Sequence, residues 1–244
     1  MQKTYGLIGK NISYSFSKTY FTQKFSKEGI DNARYLNFDI QSIQHFKKTL
    51  AAYPNLKGLN VTIPYKETII PHLDKVSKKA KKIGAVNTIR ISKKGKLKGY
   101  NTDAYGFKKS IQPVLKSQHQ KALILGTGGA SKAIAYTLKK LAIKYQFVSR
   151  SNDNHLSYHS LTPAIINEHQ IIINCTPLGT HPNVNECPDI PYDTLSKNHI
   201  LYDLVYNPKE TLFLKKGAKK GAKTINGEQM LILQAKKSWE IWNK

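Results

Sequence analysis

Apolar and polar positions change their period repeatedly along the 244 residues of the chain. Short apolar runs bounded by Gly, Pro or Asn alternate with longer stretches in which apolar residues recur every three or four positions. The first pattern is that of buried strands, the second that of amphipathic helices. It predicts strands at Thr4–Gly9, Arg34–Asp39 and Leu56–Thr62, and helices at Lys18–Glu28 and Ile43–Ala52. Gly29 stops the first helix; Ile43, Phe46 and Leu50 give the second its apolar stripe before Pro54. The stretch after residue 62 reads as the opening of a helix, followed by a basic helix at Asp74–Ile83. Ala85–Ser92 and Lys96–Tyr100 read as a hairpin around Lys93-Lys94-Gly95.

A second region begins near Asp103. Tyr105–Leu115 reads as a linking helix, and Lys121–Leu125, a glycine-rich turn, Ser131–Leu141 and Tyr145–Ser149 form a strand–helix–strand unit of the size used for nucleotides. Further strands are expected at Gln170–Cys175, His199–Leu204 and Lys223–Ile225, and an apolar helix at Glu228–Trp242. This alternation predicts an α/β fold.

Composition narrows the class. The chain is 40% hydrophobic, enough for one large domain or two small ones. No run of about 18 apolar residues is present, so no membrane span is expected. The N-terminus enters a strand at once, so no signal peptide is expected. Two cysteines, Cys175 and Cys187, make no disulfide framework, which fits a reducing cytoplasm. Charge is the unusual feature: 39 Lys and Arg against 15 acids give +24. Nucleic-acid binding is the obvious reading. Yet the lysines are spread along the chain, only Arg34, Arg90 and Arg150 are arginine, and no nucleic-acid motif accompanies them. A lysine-biased solvated surface that attracts anions is the reading adopted, with no nucleic-acid or membrane partner. His155 and His159 lack further ligands at suitable spacing, so no metal is expected.

Two constellations carry chemistry. In the first, the apolar strand runs into Gly126-Thr127-Gly128-Gly129-Ala130 and then a helix. Glycines let backbone approach a pyrophosphate, and the helix start offers free N–H groups. The next strand ends Ser149-Arg150-Ser151, where an NAD site usually has an acid. Arg150 suits a 2′-phosphate instead, so NADP is expected, with NAD possible because Asp153 is near. In the second, three segments end strands with amides, hydroxyls and one charge each: Asn60 to Lys66, Ala85 to Thr88, and Gly99 to Asp103. By count alone Lys66 is one lysine among many, and Asp103 also suits a helix N-cap.

Taken together these segments resemble the shikimate dehydrogenase family. The matches are Ser15-Phe16-Ser17, Asn60-Val61-Thr62-x-Pro64-x-Lys66, Gly84-Ala85-Val86-Asn87-Thr88 and Gly99-x-Asn101-Thr102-Asp103-x-x-Gly106-Phe107. They continue with Gly126-x-Gly128-Gly129-Ala130, Asn174-x-Thr176-Pro177-x-Gly179, Asp203-x-x-Tyr206-x-Pro208 and Gly227-x-x-Met230-Leu231-x-x-Gln234-Ala235. The resemblance implies reversible NADPH-dependent reduction of 3-dehydroshikimate to shikimate. It implies a substrate-binding α/β domain (1–103 with 228–244) and a Rossmann-like NADP-binding domain (104–227), the C-terminal helix returning to the first.

By the same resemblance Lys66 is the acid/base at the carbonyl oxygen, with Asp103 beside it on the neighbouring hydroxyl. Ser15 and Ser17 hold the carboxylate, with Tyr206 close by. Thr62, Asn87, Asp103 and Gln234 bind the ring hydroxyls. Gly126, Thr127, Gly128, Gly129 and Ala130 cradle the pyrophosphate, Ser149, Arg150 and Ser151 the 2′-phosphate. Leu204 and Gly227 line the nicotinamide. The chain departs from the family pattern at Lys18, where Pro is usual, at Lys78, where an acid is frequent, and at Asp153-Asn154, where a second basic residue is frequent. The last departure weakens the 2′-phosphate clamp. A quinate/shikimate dehydrogenase using NAD or NADP is the alternative within the class, and a non-catalytic nucleotide- or nucleic-acid-binding protein the alternative outside it. A monomer or homodimer is expected.

Overall fold

The computed structural model describes residues 2–13, 15–150 and 154–244. The chain forms two compact units, Met1–Tyr105 with Gln234–Lys244, and Gly106–Leu233. None of the described helices is long and apolar enough to cross a membrane.

In the first unit the order is β1 (Lys3–Gly9), α1 (Phe16–Lys27), β2 (Ala33–Asp39), α2 (Phe46–Ala52), β3 (Leu56–Val61), β4 (Lys75–Val76), α3 (Lys78–Ile83), β5 (Thr88–Ile91) and β6 (Leu97–Tyr100). The sheet order is β2-β1-β3-β5-β6-β4. β1 pairs parallel with β2 and β3, while β5 is antiparallel to β3 and β6. The chain thus leaves β1 to one side for β2 and returns to its other side for β3. That reversal opens a crevice at the carboxyl ends of β1 and β3, where α/β sheets take ligands.

Both faces are apolar. On one, Ile8, Phe46, Leu59, Ile69 and Ile89 are buried together. On the other, Tyr5, Phe21, Phe25 and Tyr35 pack with Trp239 and Trp242. Phe21 stacks on Tyr35 with centroids 4.6 Å apart. At Gly58 a Cβ would lie 2.3 Å from the Trp242 ring, and the indole N–H donates to the Ile89 carbonyl at 2.9 Å.

α4 (Asp103–Ile111) links the units along the chain. The second unit then continues as β7 (Lys121–Leu125), α5 (Gly129–Lys140), β8 (Lys144–Val148), α6 (Pro163–Glu168), β9 (Ile171–Asn174), β10 (Ile200–Asp203), α7 (Leu212–Lys219) and β11 (Lys223–Ile225). Its sheet, β11-β10-β9-β7-β8, is parallel throughout. Its three inner strands, β7, β9 and β10, are near-continuous apolar runs, as expected when helices cover both faces. Here too the chain reverses, from β7 out to β8 and back to β9. α8 (Glu228–Trp242) is the last element, and its part from Gln234 onward, with the two residues that follow it, counts with the first unit.

Three local expectations are corrected. No α-helix follows β3: residues 63–69 are turns. The carbonyls that would carry the helical ladder are taken elsewhere, Ile63 by the Lys10 N–H and Lys66 by the Val86 N–H. The helix expected at Asp74–Ile83 starts only at Lys78, because Ser77 caps it and the Asp74 carboxylate turns away to the Leu97 N–H at 2.7 Å. The first hairpin strand is confined to Thr88–Ile91, since Val86 donates to Lys66 rather than to β6.

Candidate active site

In the first unit Lys66 follows the turn at the end of β3, and its backbone is anchored by the Val86 N–H at 2.7 Å. Its ammonium donates to Asp103 Oδ2 at 2.7 Å, with 14% and 7% of the two side chains exposed. Asp103 is the first residue of α4, but its carboxylate does not cap the helix. Asn101 Oδ1 accepts the Ala104 N–H instead, which frees Asp103 for Lys66. The other Asp103 oxygen accepts from Asn87 Nδ2 at 2.7 Å.

The orientation of Asn87 is set by its surroundings. Its Oδ1 accepts the Thr102 N–H at 2.7 Å, so its amide nitrogen must face Asp103, Thr102 and Gln234. Gln234 Oε1 lies 3.5 Å from that nitrogen and 3.4 Å from Thr102 Oγ1. Behind these groups sits Ser238, one turn further along α8 and fully buried. Its hydroxyl meets Asn60 Nδ2 at 3.0 Å, Thr88 Oγ1 at 2.8 Å and Thr102 Oγ1 at 3.2 Å, and donates to the Gln234 carbonyl. Asn60 accepts from the Tyr35 hydroxyl at 2.8 Å. Burial pushes that phenol well above its ordinary pKa, opposed by a hydrogen bond with Ser17. A continuous polar chain therefore runs from Ser17 through Tyr35, Asn60 and Ser238 to Thr102, Asn87, Asp103 and Lys66.

Ser15 caps α1, its Oγ accepting the Ser17 N–H at 3.1 Å. Thr62 is half-buried at the end of β3, its N–H on the Ile8 carbonyl. Lys66, Asp103, Ser15, Ser17, Thr62, Asn87 and Gln234 thus all belong to one unit, whereas Tyr206 belongs to the other.

In the second unit Gly126 leaves β7 with φ +97, a conformation side chains rarely adopt, and its N–H reaches the Val148 carbonyl. A Cβ there would lie 3.0 Å from Thr176 on the neighbouring loop. Gly128 precedes the twelve-residue α5, and a Cβ on it would meet nothing within 4 Å. Thr127 and Gly128 are exposed, Gly129 and Ala130 half-buried. The turn thus presents open backbone at a helix start, between β7 and β9 where the strand order reverses. This suits a pyrophosphate. Ser149 and the exposed Arg150 follow β8 directly; Ser151 lies outside the described residues. Gly227 is forced to be glycine: a Cβ would lie 2.2 Å from the Leu204 carbonyl oxygen.

Sequence reasoning did not single out the lock beneath this loop. Asp203, fully buried, accepts from Asn174 Nδ2, the Val205 N–H and Thr211 Oγ1 at 3.0, 3.0 and 2.6 Å. Burial still raises its carboxyl to about 6. Asn174 Oδ1 in turn accepts the N–H and hydroxyl of Thr176. The signal was available in the Asn174-x-Thr176 and Asp203-x-x-Tyr206 segments, but their meeting depends on β9 and β10 being neighbours. Nor was Ser238 singled out, since it looks like one polar residue in an apolar helix. No group of three metal-ligating side chains occurs among the described residues.

A parallel sheet with an open glycine turn, on one chain with a half-buried lysine–carboxylate pair, is the make-up of a nucleotide-dependent oxidoreductase. Comparison with known proteins narrows this. Residues 7–89 match the shikimate dehydrogenase substrate binding domain. The NADP(+) shikimate dehydrogenase of Methanosphaera stadtmanae is 40% identical over 257 residues, covering 97% of this chain and 90% of the relative. The crystal structure of shikimate dehydrogenase from Aquifex aeolicus superposes with TM-score 0.87 at 35% identity, covering 99% and 92%. That of the Thermus thermophilus enzyme in complex with NADP(H) and shikimate gives 0.87 at 27% identity, covering 99% and 93%. The chain belongs to the shikimate dehydrogenase family.

Proposed function

We propose that this protein catalyses the reversible, NADPH-dependent reduction of 3-dehydroshikimate to shikimate, with Lys66 as acid and base. The observation that carries the reading is the Lys66 ammonium held on Asp103 by a carboxylate that Asn87 fixes from its other side. When bound, NADPH supplies a hydride to the ring carbonyl carbon. As negative charge gathers on the carbonyl oxygen, the Lys66 ammonium stabilises it and passes it a proton. In the oxidising direction neutral Lys66 takes that proton back. Asp103 accepts a hydrogen bond from the neighbouring ring hydroxyl and keeps the lysine aimed.

Thr62, Asn87 and Gln234 bind the remaining ring hydroxyls. A ring lacking one of these would leave a buried group unpaired, at a cost of about 1–3 kcal/mol. Ser15 and Ser17, at the start of α1, take the ring carboxylate, with Tyr206 assisting. Gly126 to Ala130 would hold the pyrophosphate of the cofactor, Ser149, Arg150 and Ser151 its 2′-phosphate, and Leu204 and Gly227 its nicotinamide. The cytoplasm suits the two cysteines, Cys175 and Cys187, as free thiols.

The test is NADP reduction followed by absorbance, with shikimate as substrate, repeated with NAD and with quinate. The expected result is fastest turnover with NADP and shikimate. No turnover, or faster turnover with NAD or with quinate, overturns the reading.

A further inference from the structure

We propose that the outer face of the β5–β6–β4 sheet edge is a second binding site, for a small anion carrying more than one phosphate group. The inference does not depend on the activity proposed above. A cavity of about 560 Å³ lies against this face, its lining including Asp74, Lys75, Arg90, Lys96, Lys98 and Tyr100. None of these residues belongs to the Lys66 site.

The strand register makes the lining unusual. Arg90 stands directly opposite Lys98, and Lys98 directly opposite Lys75. Directly paired residues project to the same side of a sheet, so three cations form one row across three strands. Like charges in such positions repel, and a sheet that only needed solubility would gain by alternating them. On its other side Arg90 pairs with Gly58, where the Trp242 ring covers the sheet. The row beyond that ring borders the cavity.

Carboxylates do not neutralise it. Asp74 is committed on both oxygens, Oδ1 to Lys96 at 2.9 Å and Oδ2 to the Leu97 N–H at 2.7 Å. Among the described residues Lys75, Arg90 and Lys98 have no carboxylate partner within ion-pair distance. Lys98 is instead held over the Tyr100 ring, 5.5 Å from its centroid. Arg90 is one of three arginines in a chain that otherwise uses lysine. Its guanidinium fork matches phosphate oxygens in pairs, while the flanking ammonium groups act as point charges. A diphosphate brings more than one charge to groups that otherwise repel. A single carboxylate does not.

The probe is inorganic pyrophosphate, titrated calorimetrically into the full-length protein at constant ionic strength, with citrate as the carboxylate counterpart. Pyrophosphate is expected to bind more tightly than citrate. Its affinity should fall at least about tenfold in Arg90→Gln/Lys98→Gln, the loss of one or more charge-assisted hydrogen bonds. In Arg150→Gln, which alters the second unit, the affinity of this site should be unchanged. Without pyrophosphate the double variant should melt no lower than the unmodified protein, since the substitutions relieve repulsion. Absence of binding, equal binding of citrate, or undiminished binding in the double variant overturns the proposal; the last two would assign it to the general positive field or to the glycine turn.

Discussion

The two units solve the same topological problem with different materials. Each has a sheet whose strand order reverses beside a central strand, and each has its candidate site at the carboxyl ends flanking that reversal. In the first unit the site is built from side chains, buried and tied to one another: Asn87 is fixed by Thr102, Asp103 by Asn87, and Gln234 by the Ser238 turn of α8. In the second it is built chiefly from backbone, an exposed turn whose residues have little or no side chain at Gly126, Gly128 and Gly129. The difference matches what the two sites are proposed to recognise. A polyhydroxy ring differs from its analogues by single hydroxyls, and only groups with fixed donor and acceptor directions distinguish these. A pyrophosphate needs N–H groups, positive potential and room, which a helix start supplies without side chains.

The comparison is tested most severely at Lys66. Lys66→Ala should lower kcat by roughly 10²–10⁴-fold, the usual range for a lost acid/base group, while NADP affinity and the melting temperature stay close to those of the unmodified protein. Full residual turnover would remove Lys66 from the mechanism. Arg150 is the one charged side chain proposed for the otherwise backbone-made site. Arg150→Gln should raise KM for NADP by roughly 10- to 100-fold, the loss of a charge-assisted contact, and leave KM for NAD and for shikimate unchanged. An equal rise for NAD would mean that Arg150 does not read the 2′-phosphate.

Smaller effects probe the supports. Ser238→Ala removes the hydroxyl that meets Asn60, Thr88 and Thr102. It should raise KM for shikimate by roughly 3- to 10-fold, about one hydrogen bond, with KM for NADP unaltered. A loss shared equally between the two substrates would make Ser238 a folding residue only. Asp203 gives a pH signature in the second unit. Its folded pKa, about 6, lies above the ordinary carboxylate value of 3.8 because of burial. The folded protein therefore holds that proton more tightly than the unfolded chain. This contribution is complete below the ordinary value and is lost as pH rises through about 6. Asp203→Asn should not show that loss, so its stability relative to the unmodified protein should improve by up to about 3 kcal/mol between about pH 4 and pH 7. Parallel denaturation curves of the two proteins across that range would contradict the burial effect.

The order of strands and helices was largely legible because both sheets are built from clean apolar runs separated by Gly, Pro and Asn. Misreadings fall where a backbone group is claimed by a distant strand. The turns after β3 carry helix-forming residues, but Lys10 and Val86 take their carbonyls. Lys75–Val76 has no pattern of its own and is a strand because it pairs with Lys98–Gly99. At the candidate site, Lys66 and Asp103 were distinguishable only through the family resemblance, since composition left one a surface lysine and the other a cap. Asn101 relieves Asp103 of capping, and that substitution of roles is a matter of side-chain direction. The Ser238 and Asp203 supports stayed hidden because their partners are far apart in sequence: 178 residues separate Ser238 from Asn60, and 29 separate Asp203 from Asn174.

The Trp242 ring seated over Gly58 has a consequence for the order of assembly. The first unit contains both the earliest residues and Gln234–Lys244, whereas the second is one continuous stretch. During synthesis the later-made unit has its whole sequence available first, and the earlier-made one must wait, its Gly58 surface and aromatic cluster uncovered. Domains are generally finished in the order they are made; here the second unit can mature while the first is still an open sheet. Lys66 and Asp103 are therefore synthesised well before Gln234 and Ser238 arrive to complete the hydrogen-bond network beside them.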